Sequence, residues 1–168
     1  PPMSDALAGE GIAVKTGYAA GNIPSDADLI IVGNAISATN PEAEAVERAG
    51  VERLSMPEAV ARFLLDGKNS LVVAGTHGKT TTTAMLARSL QAAGLEPGYL
   101  VGGSVPELGE LACQAQGQHF VIEGDEYDTA YFDKRPKFIH YQPSAAIVTS
   151  VEFDHADIYP DLDAIKAA

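Results

Sequence analysis

The sequence predicts an α/β fold of parallel strands alternating with helices, and three observations predict it. Asp28–Gly33 and Ser70–Gly75 are short apolar blocks that end in glycine, as strands buried in a parallel sheet do. Asn40-Pro41 and Ser55-Met56-Pro57-Glu58 carry helix-start chemistry, a capping side chain followed by proline in the first turn. The strand and helix signals then alternate along a chain of 168 residues, a length that suits one ordinary domain or two partial ones.

Taken in order, Asp28–Gly33 is the first strand, and the helix opened by Asn40 runs to about Ala49 and stops at Gly50. Val51–Leu54 is a second short strand, and the helix that follows Ser55 ends near Gly67. Ser70–Gly75 is a third strand. A glycine turn leads from it into a helix reaching about Ala93, with Leu86, Leu90 and Ala93 expected on one apolar face. Gly94 closes that helix. Further strands are expected at Tyr99–Val101, His119–Glu123 and Ala145–Thr149, giving a sheet covered on both faces. The polar connection Asp66–Asn69 divides the pattern. Residues 1–67 and 68–168 are therefore expected to be portions of two domains. The chain opens on Pro1 and closes on Ala167-Ala168 inside an expected helix, so both ends are expected to be cuts through a longer protein.

The formal net charge of -12 argues against a nucleic-acid partner held by a basic surface. It also requires any anionic ligand to be captured by a local device, since the overall field repels it. Cys113 is the single cysteine and can form no disulfide within the chain, which points to a reducing, cytoplasmic setting. No apolar run is long enough to cross a bilayer, so membrane insertion is not expected.

The local device is Gly75-Thr76-His77-Gly78-Lys79-Thr80-Thr81, set between a strand and a helix. Glycines let the backbone turn tightly and aim several N–H groups at one anion, and the helix N-terminus adds its positive dipole end. Lys79 supplies a full charge for terminal phosphates, and the Thr80 hydroxyl is a candidate Mg²⁺ ligand. The general phosphate-loop pattern asks for another glycine five residues before Gly78, where Val73 stands. The alternative is a turn that only joins strand to helix.

Downstream, Glu123-Gly124-Asp125-Glu126-Tyr127-Asp128 puts four carboxylates into six residues at a strand's end. Such a run repels itself unless a cation sits within it, so it is either a Mg²⁺ site or a solvated acidic turn. His155 follows the Ala145–Thr149 strand in Glu152-Phe153-Asp154-His155, and is either a second metal ligand or a structural histidine. His77 lies in the loop itself. His119 and His140 read as structural.

Taken together, G-T-H-G-K-T-T-T-T at Gly75–Thr83, E-G-D-E-Y-D at Glu123–Asp128 and E-F-D-H at Glu152–His155 resemble the Mur ligase family. The shorter G-T-x-G-K-T form is the one that family carries. Asp125–Tyr141 and Glu152–Tyr159 are most similar to its branch that returns a murein tripeptide, L-alanyl-γ-D-glutamyl-meso-diaminopimelate, to UDP-N-acetylmuramate. Gly33–Ser37 and Asn40-Pro41-Glu42 are similar to the end of the family's Rossmann-like, UDP-sugar-binding domain. The resemblance implies that residues 1–67 are the C-terminal portion of that domain. It implies that residues 68–168 are the N-terminal portion of a P-loop central domain, and that a C-terminal domain is absent.

The resemblance further implies an ATP- and Mg²⁺-dependent amide-bond ligase that activates a carboxylate as an acyl phosphate. Lys79, Glu123 and His155 are then catalytic. Gly75, Thr76, His77, Gly78, Lys79, Thr80 and Thr81 bind ATP, and Thr80, Glu123 and His155 hold metal. Asn34, Ala35, Ser37, Tyr127 and Asp128 are candidates to face UDP-N-acetylmuramate or the tripeptide, with Lys134-Arg135 beside them; their alternative is ordinary surface. Ser150 stands where the family often has asparagine. The rival readings are the L-alanine-adding ligase of the same family, a folate-type ligase, and a nucleotide-binding module that forms no bond.

Overall fold

The computed structural model describes residues 2–103, 105–106, 108–109, 112–113, 116–153 and 161–167. It is a mixed α/β structure with two parallel-rich sheets flanked by helices. Helix α1 (Pro2–Gly9) leads into a largely exposed stretch, neither of which the sequence patterns anticipated. Strand β1 (Leu29–Val32) then pairs in parallel with β2 (Glu52–Ser55), with Leu29 opposite Glu52. Helix α2 (Pro41–Ala49) makes the crossover. Its start is held by the Asn40 side chain, which accepts from the Glu42 N–H at 2.8 Å, and Gly50 ends it in the left-handed conformation.

Ser55 starts α3 (Met56–Val60) with a reciprocal cap: its Oγ accepts from the Glu58 N–H, and Glu58 Oε2 accepts from the Ser55 N–H at 2.8 Å. The helix continues as a π-helical turn over Ala61–Leu65. The second sheet has the order β5-β4-β6-β3-β9, from β3 (Asn69–Ala74), β4 (Gly98–Leu100), β5 (Ala112–Cys113), β6 (His119–Gly124) and β9 (Ala145–Val148). All its pairings are parallel except β4 with β5. Between β6 and β9 the chain forms an antiparallel hairpin, β7 (Asp128–Ala130) and β8 (Asp133–Pro136), and a 3₁₀ turn at Lys137–Tyr141.

The alternation of side chains along β3 and β6 sorts the core onto two faces. Val72, Phe120 and Ile122 pack with Val60, Leu65 and Tyr141. On the other face Leu71, Val121, Tyr99 and Val101 pack against Ala87, Leu86 and Leu90 of α4 (Lys79–Ala92). Full burial of side chains such as Phe120 and Ile122 contributes about 1.5–3 kcal/mol each.

The structure departs from two expectations and adds elements that the sequence did not suggest. Ala93 is exposed at the C-cap, beyond the packed face of α4, because the helix ends one residue before it. The antiparallel hairpin and β5 were unforeseen, since both are too short to carry an apolar period. The sheets are also not covered throughout. All four residues of β9 are exposed, with Val148 at 60%, and Ile31 of β1 at 54% faces outward. Apolar runs alone read as doubly buried, but both strands lie at a sheet edge, where cover depends on what packs beside them.

Candidate functional site

The register of β3 against β6 builds the site. Val73 lies opposite Glu123 and Ala74 opposite Gly124, so both strands end side by side and deliver the loop Gly75–Gly78 next to the acidic run. Chain reversal at the loop needs glycine. Gly75 has φ +124°, and a Cβ there would stand 2.4 Å from Thr149 Oγ1 and 2.8 Å from the Ser150 carbonyl oxygen. That close approach couples the loop to the end of β9: the Thr76 N–H donates to the Ser150 carbonyl (2.9 Å) and the His77 N–H to Ser150 Oγ (3.1 Å). Thr149 Oγ1 adds a bond to the His77 carbonyl at 2.6 Å.

Gly78 caps α4 in the left-handed region, and the first helical bond runs from the Thr82 N–H to the Gly78 carbonyl. The N–H groups of Lys79, Thr80 and Thr81 therefore have no partner within the helix, and they add to the positive dipole end of fourteen helical residues. Lys79 Nζ folds back over the loop, donating to the Gly75 carbonyl (2.7 Å) and to Glu126 Oε2 (3.0 Å). Thr80 Oγ1 donates to Glu123 Oε2 at 3.0 Å. Glu123 Oε1 accepts from the Gly102 N–H at 2.6 Å. Glu123 is buried, 9% exposed, and each of its carboxylate oxygens accepts a hydrogen bond from the protein.

The structure thus brings together Gly75, Thr76, Gly78, Lys79, Thr80, Thr81 and Glu123. His77 sits at the loop's exposed side, 4.0 Å from Glu152 Oε2. His155 and Asp154 lie outside the described residues. Asn34, Ala35 and Ser37 are exposed in the turn after β1, where Ser37 Oγ lies 3.1 Å from Thr39 Oγ1. Tyr127 is half-buried in the turn between β6 and β7. Asp128 sits in the hairpin, paired with Lys134 at 2.6 Å, and Arg135 is engaged with Asp133.

The acidic run does not need a metal ion to offset its self-repulsion, because the fold supplies cations. Asp125 pairs with Lys137 at 3.1 Å, Glu126 with Lys79, and Asp128 with Lys134. Among the described residues Glu123 alone of the four is held by hydrogen-bond donors instead of a lysine. Sequence reasoning also missed Gly102, Glu126 and Thr149. Gly102-Gly103 after a strand was a visible signal of close backbone approach; Glu126 and Thr149 carried none until register was known.

His140 belongs to a separate cluster. Its Nε2 lies 3.1 Å from Asp133 Oδ2, and Glu58 is nearby. Hydrogen bonds from the Arg135 guanidinium hold the Asp133 carboxyl down at about 2, aided by the Arg135 backbone N–H and opposed by burial. A hollow of about 580 Å³ opens there, around Ser70 and His140 at the start of β3, away from the loop. A second, of about 370 Å³, gives the loop an apolar wall that includes Phe138, Ala146 and Val148.

A glycine loop leading into a helix N-terminus beside a buried carboxylate, at the ends of parallel strands, is an arrangement suited to an anionic ligand. The Mur ligase middle domain matches residues 73–168, and the Mur ligase family catalytic domain matches residues 1–68. The chain belongs to the Mur ligase family. It is 45% identical over 166 residues to the UDP-N-acetylmuramate–L-alanyl-γ-D-glutamyl-meso-2,6-diaminoheptandioate ligase of Escherichia coli (strain K12), covering 99% of this chain and 36% of that protein. It is 42% identical over 165 residues to the UDP-N-acetylmuramate–L-alanine ligase of Arthrobacter sp. (strain FB24), covering 98% of this chain and 33% of that one. Among solved structures it superposes on the UDP-N-acetylmuramate:L-alanyl-γ-D-glutamyl-meso-diaminopimelate ligase from Neisseria meningitides with a TM-score of 0.91. Identity there is 44%, over 99% of this chain and 55% of that one. The chain spans about a third of the length of the curated relatives it matches.

Proposed function

We propose that this chain is part of an ATP-dependent ligase that joins a murein tripeptide to UDP-N-acetylmuramate. In this reading residues 1–67 close the UDP-sugar-binding domain and residues 68–168 open the central ATP-binding domain. The observation that carries it is the convergence of Lys79 Nζ, the Thr80 hydroxyl and the buried Glu123 carboxylate on the start of α4.

The donor set fits Mg²⁺ and a triphosphate. Glu123 and Thr80 offer hard oxygen ligands 3.0 Å apart, and the helix start beside them offers N–H groups that have no partner within the helix. When bound, Mg²⁺ neutralises phosphate charge and acts as a Lewis acid. The chain's own residues position and screen: backbone N–H groups at Gly78–Thr81 hold the phosphates, and Lys79 offsets repulsion between a carboxylate nucleophile and the γ-phosphate. The reaction needs this because a carboxylate does not condense with an amine in water without a leaving group, here phosphate on an acyl phosphate. His155 is the proposed second metal ligand. Asn34, Ala35 and Ser37, exposed after β1, and Tyr127 and Asp128 after β6, are proposed to face the UDP-sugar or the peptide.

The test is Lys79→Ala in the full-length protein. Ligation dependent on ATP, UDP-N-acetylmuramate and tripeptide is expected to vanish while the far-UV circular dichroism spectrum is kept; ligation near the parent rate defeats the assignment. The 42% identity to an L-alanine ligase favours a second reading over the same span. Supplying L-alanine and the tripeptide separately decides between them.

A further inference from the structure

Glu126 has no part in the function just described, yet it holds that function's central cation. Lys79 Nζ has three N–H bonds, and three acceptors surround it: the Gly75 carbonyl at 2.7 Å, Glu126 Oε2 at 3.0 Å and the Thr76 carbonyl at 3.5 Å. Two of these are neutral and belong to the loop. The third is an anion from the segment after β6. The Lys79 and Glu126 side chains are 13% and 12% exposed, so water and salt screen the pair far less than they screen the surface pairs of the molecule. Three residues earlier, Glu123 takes the hydroxyl of the next residue of α4. The two glutamates thus divide the start of the helix, one on the hydroxyl and one on the ammonium.

A phosphate oxygen can reach Lys79 only by taking one of its three N–H bonds. Taking it beside Glu126 sets two anions against each other around one cation. We infer that Glu126 is an internal counter-anion that competes with nucleotide phosphates for Lys79. It keeps the ammonium aimed over the loop and lowers nucleotide affinity by the cost of displacing it. The inference rests on the loop being a phosphate seat, and it makes Glu126 a positioning residue, acting through Lys79.

The experiment measures binding without turnover. In the full-length protein, ADP and a non-hydrolysable ATP analogue are titrated calorimetrically with Mg²⁺ and no UDP-sugar, comparing the parent with Glu126→Gln. The variant keeps the shape and loses the charge, and is expected to bind roughly five- to tenfold tighter. In nucleotide-free protein, an amine-reactive reagent is expected to label Lys79 faster in the variant, read by peptide mass mapping. Unchanged or weaker affinity overturns the inference. If Glu126→Gln does not fold, Glu126→Asp withdraws the carboxylate by one methylene and is expected to move both readouts the same way by less; parent-like values overturn the proposal equally. Lys79→Ala keeps the two failures apart. If it binds nucleotide as the parent does, the phosphate-seat reading fails; if only the Glu126 variants are silent, the counter-anion fails.

Discussion

Replacing Gly75 by alanine tests whether the loop is locked to the end of β9 as the geometry requires. The added Cβ meets Thr149 Oγ1 at 2.4 Å, the Ser150 carbonyl oxygen at 2.8 Å and the Ser150 nitrogen at 2.9 Å. Two of these are backbone atoms, held by the Thr149 N–H on the Ala74 carbonyl (3.0 Å) and the Thr76 N–H on the Ser150 carbonyl (2.9 Å). They cannot move aside without breaking the loop's braces. At φ +124° the alanine is also strained, by about 1–3 kcal/mol. Overpacking adds about 1–3 kcal/mol, for a total of about 2–6 kcal/mol. At ~2–4 °C per kcal/mol for a protein of this size, the melting temperature falls by roughly 4–24 °C. Gly78→Ala is the internal control. It shares a positive φ, +80°, but nothing lies within 4 Å of its added Cβ, so only a backbone cost of about 1–2 kcal/mol remains. The assay is thermal unfolding of both variants followed by circular dichroism. Equal losses in the two, or a Gly75→Ala melting temperature within ~2 °C of the parent, would refute the steric argument.

Ser55→Ala removes the side-chain half of the cap that starts α3 at a fully buried position, leaving the backbone N–H of residue 55 on Glu58, and is expected to cost about 1 kcal/mol in urea denaturation; no change in midpoint would mean the hydroxyl is dispensable. Asp133 tests linkage to pH. Its carboxyl is held at about 2 against an ordinary 3.8, so its stabilisation is complete above about pH 4 and disappears as pH falls through about 2. Asp133→Asn should therefore be less stable than the parent at neutral pH, with the gap closing toward pH 2; a gap in urea midpoint that stays constant on acidification contradicts this. Lys79→Ala, with its loss of ligation, completes the set.

Much of the site was legible because its chemistry is packed into few consecutive residues. Gly75–Thr81 announces a tight glycine turn into a helix, the residue types expected of a phosphate loop. Asn40 and Ser55 announce helix starts for the same reason, since a cap is a contact between residues two or three apart. Where local reading misled, the deciding partner was distant. The acidic run after β6 looked self-repelling until the fold supplied Lys79, Lys134 and Lys137. Ala145–Val148 looked doubly buried, yet it is an edge strand with all four residues exposed.

What the sequence determined by itself is the alternation of strands and helices, the loop, and the resemblance that family comparison bears out. Each rests on short-range geometry: the period of side chains, the caps, and the freedom of glycine. Only the tertiary structure decided that Glu126 meets Lys79 across 47 residues, that Glu123 faces Thr80 across 43, and that Thr149 braces the loop from 72 away. Those contacts follow from the register of β3 between β6 and β9. Register is set by which apolar faces pack best over the whole sheet, a sum that no single segment contains.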